Sequence, residues 1–331
     1  MHLPARFSAL ALAGALLLVP VEAAPALAAP AAPAAPATPA ASAAAAATAA
    51  PARLASATSP AVATSPASAT SLALARAPRG VQAKGGALAN AATGAVLWSR
   101  GMNTKLPMGS ITKVMTAIVV LRAGNLHQRI AVPKGVVPYD RKYDASNAGL
   151  RPGDYLTAQE LLEALLLPSG CDAAYALAKA YGPGWTAFIA KMNSTAQALG
   201  LAHTHFSNFD GLPWPTETST YSTPRDLIAL GRAAMGYPVL RSIVDQRTYR
   251  LAATPRHHAY VWRTTNMLLR EYPGTIGIKT GSTRAAGYCL LFEARKNGHA
   301  LVGVVLHSSQ NNDLASFADA TKILDWGFRH D

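Results

Sequence analysis

The sequence has few cysteines and few acidic residues. Its only cysteines are Cys171 and Cys289 among 331 residues, which excludes a framework of several disulfides. Only 17 acidic residues oppose 30 lysines and arginines, so the formal net charge is +13. A chain this basic is expected to work near polyanions. No recognisable nucleic-acid-binding motif accompanies the charge, so nucleic acid is not expected as the partner.

An apolar run near the N-terminus predicts export. Arg6 precedes "ALALAGALLLVPV" at 9–21, and small residues follow as far as Ala28. A basic head, a short apolar run and a small-residue exit are typical of a secretory signal peptide, here residues 1–28. The run is short for a membrane span, and an uncleaved N-terminal anchor is the alternative. We therefore expect a secreted protein in the cell wall or a periplasm-like space, where anionic cell-wall polymer is a candidate contact.

The next segment, residues 29–77, lacks nearly all charge and aromatic residues. It consists almost entirely of Ala, Pro, Ser and Thr. Such a composition buries too little apolar surface to offset chain entropy, so it predicts a disordered tether. The remaining residues, 78–331, are numerous enough for one large domain with its own core.

In that domain, strand patterns come first and last, with helical patterns between them. A hairpin breaking at Thr93-Gly94 opens it, and "TIGIKTG" and a hairpin turning at 296–298 close it. A capping box at Thr157 and Glu160 starts one of the central helices. The order predicts an α+β fold in which terminal strands form one antiparallel sheet beside a helical subdomain at about 124–260. The cleft between the two is the default site.

Three short motifs carry candidate chemistry, and each has an ordinary structural explanation when taken alone. Ser110-x-x-Lys113 opens a predicted helix, where a serine is commonly a cap. "SGCD" at 169–172 reads as a turn between helices. "KTG" at 279–281 lies in a predicted strand, where glycine lets another backbone or a ligand approach closely. On a helix, positions three apart share a face, so the Lys113 amine can reach the Ser110 hydroxyl.

Together, the three motifs in this order resemble those of the penicillin-recognising serine enzymes. The chain is similar to the D-alanyl-D-alanine carboxypeptidases among the low-molecular-mass penicillin-binding proteins. The resemblance covers about residues 80–329 and includes "LRPGDYLTAQELLEALLLPSG", "NFDGLP", "YSTPRDL", "GIKTGSTRAAGYCL" and "ILDWGF". It implies a β-lactamase/transpeptidase-like α/β fold and no further module after the last domain helix.

The resemblance also implies roles for the motif residues. Ser110 is the expected nucleophile, Lys113 its base, and Ser169 the relay of a proton to the departing amine. The backbone N–H groups of residues 110 and 282 form the expected oxyanion hole. The expected substrate-binding residues are Lys279, Thr280, Gly281, Ser282, Thr283 and Cys171, with Lys279, Thr280 and Thr283 on the terminal carboxylate of the substrate.

Cys171 departs from the family pattern, which has asparagine at this position. An amide donates and accepts hydrogen bonds well, whereas a thiol does each poorly. We therefore expect weakened activity with the fold intact. Two interpretations of the thiol itself stay open: partial ionisation between two lysines, or a small buried hydrophobic side chain.

The implied activity is removal of the terminal D-alanine from peptidoglycan stem peptides, with β-lactams as covalent inhibitors and no cofactor. Alternatives are a DD-endopeptidase and a weakly active or non-catalytic peptidoglycan-binding or β-lactam-sensing protein. A β-lactamase is less favoured, because the Glu-x-x-Leu-Asn sequence of the class A enzymes is missing and the nearest glutamate is Glu217. No metal site is expected, since the pairs His203/His205 and His257/His258 lack a completing ligand.

Overall fold

The structure, a computed structural model, describes residues 77–331. The predicted signal peptide at 1–28 and all but the last residue of the predicted tether lie outside the described residues. The strands are β1 Gly85–Asn90, β2 Val96–Arg100, β3 Leu106–Pro107, β4 Arg129–Ala131, β5 Tyr155–Thr157, β6 Tyr221–Ser222, β7 Thr248–Leu251, β8 Tyr260–Arg263, β9 Thr275–Thr283, β10 Gly287–Lys296 and β11 His299–Leu306. The helices are α1 Thr112–Ala123, α2 Val136–Tyr143, α3 Ala158–Leu166, α4 Cys171–Tyr181, α5 Trp185–Ala198, α6 Pro224–Met235, α7 Pro238–Val244, α8 Leu268–Glu271 and α9 Ala315–Gly327.

Five strands form one antiparallel sheet in the order β2-β1-β11-β10-β9. The β10–β11 hairpin turns at Asn297-Gly298, where both residues have positive φ, as a tight hairpin requires. β1 pairs with β11 from Gly85 opposite Leu306 to Asn90 opposite Leu301, which joins the two ends of the domain. β9 is an edge strand, so one side of its backbone is left for another partner.

Helices cover both faces of the sheet. α9 packs on one face against β1, β10 and β11, with a core that includes Leu88, Phe292 and Leu324. α6 packs on the opposite face, and there Gly231 brings the helix close to Leu291 of β10. Burying apolar surface on both faces of the central strands explains why β10 and β11 are nearly continuous apolar runs.

α1 is the central helix of the domain. Residues 112–120 are all buried, and α1 packs against α3, α4, α5 and α6. A helix that is buried on all sides needs neighbours all round it, which α1 obtains by lying between the helical subdomain and the sheet. Its N-terminus therefore lies where the two parts of the domain meet.

The predicted α+β architecture is confirmed. The Thr157–Glu160 capping box is present, with the Thr157 hydroxyl accepting from the Glu160 N–H at 3.1 Å. The sequence analysis missed α2, α7, the β7–β8 hairpin and the two-stranded pairs β3–β6 and β4–β5. These short elements depend on contacts with distant segments, which local patterns do not reveal.

Glu163 of α3 is a buried carboxyl whose stability effect depends on pH. Its side chain is 3% exposed, and its partner is the Gln246 amide at 3.1 Å. Burial raises the pKa of Glu163 from its ordinary value of 4.5 to about 7. The folded state thus prefers the protonated form, so this residue's contribution is fully present below pH 4.5 and is lost as the pH rises through 7.

Glu163→Gln is therefore expected to raise the free energy of unfolding at pH 8 by about 2 kcal/mol and to change it little at pH 4. Urea denaturation at the two pH values measures the effect. Glu271→Gln is the matched control, because Glu271 is exposed. Equal effects of Glu163→Gln at both pH values would contradict the assignment.

Within residues 77–331, no single helix has both the length and the apolar character needed to cross a membrane. Taken together, α6 and α7 have the length and apolar composition of a membrane span, but the pair is bent by 103° at the break between the two helices.

Candidate active site

Ser110 lies in a 3₁₀ turn, Gly109–Ile111, immediately before α1. Gly109 has a φ of +54°, and a Cβ added there would lie 2.7 Å from the backbone nitrogen of Ser282. A Cβ on Gly281 of β9 would overlap the carbonyl oxygen of Met108. Glycines at both positions let the turn and the edge strand touch through their backbones. This contact places the Ser282 backbone beside Ser110.

Lys113 lies one helical turn beyond Ser110 and is fully buried. Its amine donates to three acceptors, the Ser110 Oγ at 2.9 Å, the Asp210 carbonyl oxygen at 3.0 Å and the Cys171 Sγ at 3.3 Å. The three partners come from the turn, from α4 and from the loop after α5. As an ammonium the group donates to all three; as a neutral amine it keeps two hydrogens for the carbonyl and the sulfur and presents its lone pair to the Ser110 hydroxyl.

A second buried lysine, Lys279, lies in β9 and is 1% exposed. Burial, then the proximity of Lys113, holds the pKa of Lys279 well below its ordinary value, and Cys171 opposes the shift. Two amines that share one buried region disfavour each other's charge. The Lys279 amine donates to the Thr280 carbonyl oxygen at 3.2 Å, beneath the wall of the cleft.

Cys171 begins α4 and is fully buried against Lys113. Burial is the largest influence on its thiol and raises the pKa of Cys171 to about 12, although Lys113 pulls it down. Of the two interpretations of the thiol, the structure favours a neutral, buried side chain. Cys171 and Cys289 are both free, so the two cysteines do not pair.

Ser169 lies two residues before the start of α4 and is 6% exposed, with a φ of +65°. Its carbonyl oxygen accepts from the Ser146 hydroxyl at 2.8 Å. Ser146 also lies 3.8 Å from the Cys171 Sγ, so it ties the second motif to the loop after α2. Positive φ is uncommon for serine, and this bond helps to hold the strained backbone in place.

A cleft of about 380 Å³ opens beside these residues. Its lining includes Ser110, Ser146 and Ser169 on one side and Thr280, Gly281 and Ser282 on the other, with Thr265, Leu212 and Met267 at its margins. The Thr265 and Thr280 hydroxyl oxygens lie 2.6 Å apart. One wall of the cleft is thus the free edge of β9, suited to an extended peptide.

Thr283, another predicted substrate-binding residue, lies at the end of β9 beyond the residues that line the cleft. Its hydroxyl accepts from the Ala286 N–H at 3.0 Å, within the turn after β9. It lines a shallower adjoining depression with Arg284 and Gln310. The structure therefore brings Ser110, Lys113, Cys171 and Lys279 into one buried group, with Ser169, Thr280, Gly281 and Ser282 along the cleft beside it.

Three further residues complete this group: the sequence predicted Asp210 in a turn near the cleft, whereas Tyr139 and Trp214 were not identified from the sequence. The Asp210 carbonyl oxygen accepts from the Lys113 amine. Tyr139 contacts the Asp210 carboxylate directly, and Trp214 contacts it through Tyr139. "NFDGLP" was a usable signal for Asp210, but nothing in the sequence singled out Tyr139. Among residues 77–331 there is no group of three or more His, Cys, Asp or Glu side chains arranged to hold a metal ion.

The geometry supports nucleophilic catalysis by a serine. A hydroxyl needs a base within hydrogen-bond reach, and the Lys113 amine meets that requirement. Ser110 also lies at the N-terminal end of α1, where backbone N–H groups favour developing negative charge.

Known proteins agree with this geometry. The family model described as "D-alanyl-D-alanine carboxypeptidase" matches residues 72–310. A D-alanyl-D-alanine carboxypeptidase of Streptomyces sp. strain K15 is 40% identical over 260 residues, which cover 75% of this chain and 88% of the relative. A D-alanyl-D-alanine endopeptidase of Pseudomonas aeruginosa is 33% identical over 243 residues, covering 71% of this chain and 73% of that protein.

The solved structures give the same picture. The crystal structure of the Streptomyces K15 DD-transpeptidase superposes with a TM-score of 0.70 at 41% identity, covering 75% of this chain and 98% of that one. Similar proteins thus carry three different activity names: carboxypeptidase, endopeptidase and transpeptidase.

Proposed function

The chain belongs to the D-alanyl-D-alanine carboxypeptidase family of serine peptidases, and we propose that it removes the terminal D-alanine of peptidoglycan stem peptides through an acyl-enzyme on Ser110. One observation carries the proposal. The Lys113 amine lies 2.9 Å from the Ser110 hydroxyl in a dry environment, with the second lysine, Lys279, buried nearby. A neutral amine in that position can take the hydroxyl proton as the oxygen attacks.

The reaction then has two steps. Ser110 Oγ attacks the carbonyl carbon of the penultimate D-alanine, while its proton passes to Lys113. The tetrahedral intermediate collapses, the C–N bond breaks, and the departing D-alanine amine receives a proton relayed through Ser169. Water next hydrolyses the ester, which releases the shortened peptide as a carboxylic acid and regenerates the Ser110 hydroxyl. The N–H groups of residues 110 and 282 stabilise the oxyanion in both steps.

Substrate binding uses the edge of β9. In our proposal the Thr280 hydroxyl binds the terminal carboxylate, and the buried Lys279 supplies positive potential behind it. Thr283 assists from the adjoining depression. Gly281 and Ser282 offer backbone to an extended peptide, and the missing side chain of Gly281 lets β9 lie against the Ser110 turn. Cys171 lies at the position from which the family's asparagine contacts the substrate amide.

We extend the proposal to location and surroundings. The basic head, apolar run and small-residue exit at 1–28 support export, with a tether at 29–77 before the catalytic domain. The net charge of +13 supports contact with anionic cell-wall polymer. β-Lactams, which mimic the D-alanyl-D-alanine end, are the expected covalent inhibitors.

The direct test is D-alanine release from a pentapeptide that ends in D-Ala-D-Ala. A cross-linked dimer tests the endopeptidase alternative, and added glycine tests transfer of the acyl group to an amine. Benzylpenicillin tests the β-lactamase alternative, which requires rapid hydrolysis rather than a lasting acyl-enzyme. A folded protein that neither releases D-alanine nor becomes acylated would favour the non-catalytic binder.

Cys171→Asn is expected to raise kcat/KM for the pentapeptide by about 5- to 10-fold, the equivalent of one additional good hydrogen bond. The amide can donate to the substrate carbonyl and still accept from Lys113, which the thiol does only weakly. Initial rates of D-alanine release measure the change. Cys171→Ala is the comparison, because it removes the sulfur without adding an amide. An unchanged or reduced rate in Cys171→Asn would show that the thiol does not limit catalysis.

A further inference from the structure

Behind Lys113, a series of hydrogen-bonded side chains ends on a buried carboxylate. The Trp214 Nε1–H donates to the Tyr139 hydroxyl oxygen at 2.9 Å, and the Tyr139 O–H donates to Asp210 Oδ2 at 2.6 Å. The backbone N–H of Leu212 donates to Asp210 Oδ1 at 3.1 Å. Asp210 itself is fully buried. Buried polar groups joined in this way polarise one another, so the series acts as one unit.

The direction of these bonds indicates that Asp210 carries a charge. An indole N–H only donates, so the Tyr139 oxygen accepts from Trp214 and spends its single hydrogen on Asp210. Both carboxylate oxygens of Asp210 therefore accept, which suits the ionised form. Burial holds the pKa of Asp210 above its ordinary value, and Lys113, Tyr139 and the Leu212 N–H reduce that rise without reversing it.

Asp210 also contacts Lys113 through its backbone. Its carbonyl oxygen accepts from the Lys113 amine at 3.0 Å. The loop that presents this carbonyl is secured by Asn208, whose Oδ1 accepts from the Gly211 N–H at 2.7 Å. The same residue thus supplies one of the three acceptors of the amine and a negative charge close to it.

The other titratable groups around Lys113 come from three elements: Lys279 on β9, Cys171 and Asp172 on α4, and Tyr139 and Asp140 on α2. Asp172 is engaged by three backbone N–H groups, those of residues 148, 150 and 173. Burial raises the pKa of Cys171 to about 12 and that of Asp140 to about 7. Among the carboxylate residues around Lys113 named here, Asp210 is the one whose backbone carbonyl also accepts from the Lys113 amine.

We propose that Asp210, held in place by Tyr139 and Trp214, is a positioning residue for Lys113. The Asp210 backbone carbonyl aims the Lys113 amine at Ser110, and the Asp210 carboxylate balances the charge of that amine. The inference rests on the proposed function, because it assigns Lys113 the role of base. A nearby carboxylate favours the protonated form of an amine, so loss of the Asp210 charge favours the neutral amine that the proposed reaction requires.

The test is the pH profile of acylation by a fluorescent penicillin, measured from pH 5 to 10 with the full catalytic domain. Asp210→Asn removes the charge but keeps the backbone carbonyl. Tyr139→Phe removes one donor, leaving the carboxylate less stabilised. Tyr175→Phe is the matched control. Tyr175 packs on Tyr139 with ring centroids 5.2 Å apart, but its hydroxyl makes no hydrogen bond to any residue in the described part of the chain.

Removing negative charge beside an ammonium makes its proton easier to lose. The rising limb of the profile is therefore expected to move to lower pH in Asp210→Asn. A smaller shift in the same direction is expected in Tyr139→Phe, because Asp210 there takes up a proton more readily. Tyr175→Phe is expected to leave the limb where it is in the wild type.

A purely structural role would lower the acylation rate at every pH without moving the limb. That result in both Asp210→Asn and Tyr139→Phe would overturn the proposal, as would an equal shift in Tyr175→Phe. Thermal unfolding identifies any variant that fails to fold, and Tyr139→Phe, which keeps the ring, decides the question alone if Asp210→Asn does not fold. Absence of acylation in the wild type would instead overturn the proposed function.

Discussion

Ser110→Ala is expected to lower kcat/KM for D-alanine release by at least ~10³-fold and to abolish stable labelling by penicillin. Alanine keeps the backbone N–H and the helix start but removes the atom that forms the acyl-enzyme. Lys113 then loses its 2.9 Å partner, while Cys171 and the Asp210 carbonyl still bind the amine. The fold is therefore expected to survive, so the loss is attributable to chemistry.

Release of D-alanine by a coupled assay and labelling on a denaturing gel measure this effect. Ser194→Ala is the control, because the Ser194 hydroxyl donates to the Lys191 carbonyl oxygen on the exposed side of α5, away from the cleft. Its activity is expected to equal that of the wild type. Labelling that persists in Ser110→Ala would assign the nucleophile to another serine of the cleft, whose lining also includes Ser146, Ser169, Ser282 and Ser316.

Gly281→Ala is expected to lower kcat/KM by about 10²-fold while the protein remains folded. The added Cβ would overlap the Met108 carbonyl oxygen and would lie 3.1 Å from the Ile111 nitrogen. Both contacts are backbone atoms that flank Ser110, so β9 and the turn must move apart. Small displacements of this kind separate the nucleophile from the oxyanion N–H groups and the substrate edge.

Steady-state kinetics and thermal unfolding, measured together, separate this effect from loss of fold. Gly236→Ala is the control, since Gly236 ends α6 with a φ of −73°, which alanine adopts freely. The control is expected to match the wild type in both measurements. Full activity in Gly281→Ala would mean that the close contact of β9 with the Ser110 turn does not position the catalytic groups.

Local sequence signals predicted the elements whose ends carry capping or turn residues. Thr157 with Glu160 and Thr223 with Pro224 start helices by satisfying free backbone N–H groups or by preset φ, and both act within four residues. The turn at Asn297-Gly298 is equally local. Such features follow from the covalent chemistry of neighbouring residues, so no knowledge of the fold is needed to find them.

Elements stabilised by distant partners were missed for the opposite reason. The β7–β8 hairpin is fixed by its aromatic inner face, where Tyr249 stacks on Trp262 and the Trp262 Nε1–H donates to the Ala148 carbonyl oxygen. α2 is held by Tyr139, whose partner Asp210 lies 71 residues away along the chain. No local pattern marks a residue whose importance depends on what folds against it.

From the sequence alone came the element order, the three motifs and the identity of the reactive groups, because these depend on residue types at short spacings. The convergence of Ser110, Lys113, Cys171 and Lys279 on one buried point was decided by tertiary structure. Tertiary structure also decided the protonation of these groups, because it lowers the pKa of Lys279 and raises that of Cys171. Charge in a protein interior depends on burial and on neighbours brought together from several segments, and only folding supplies both.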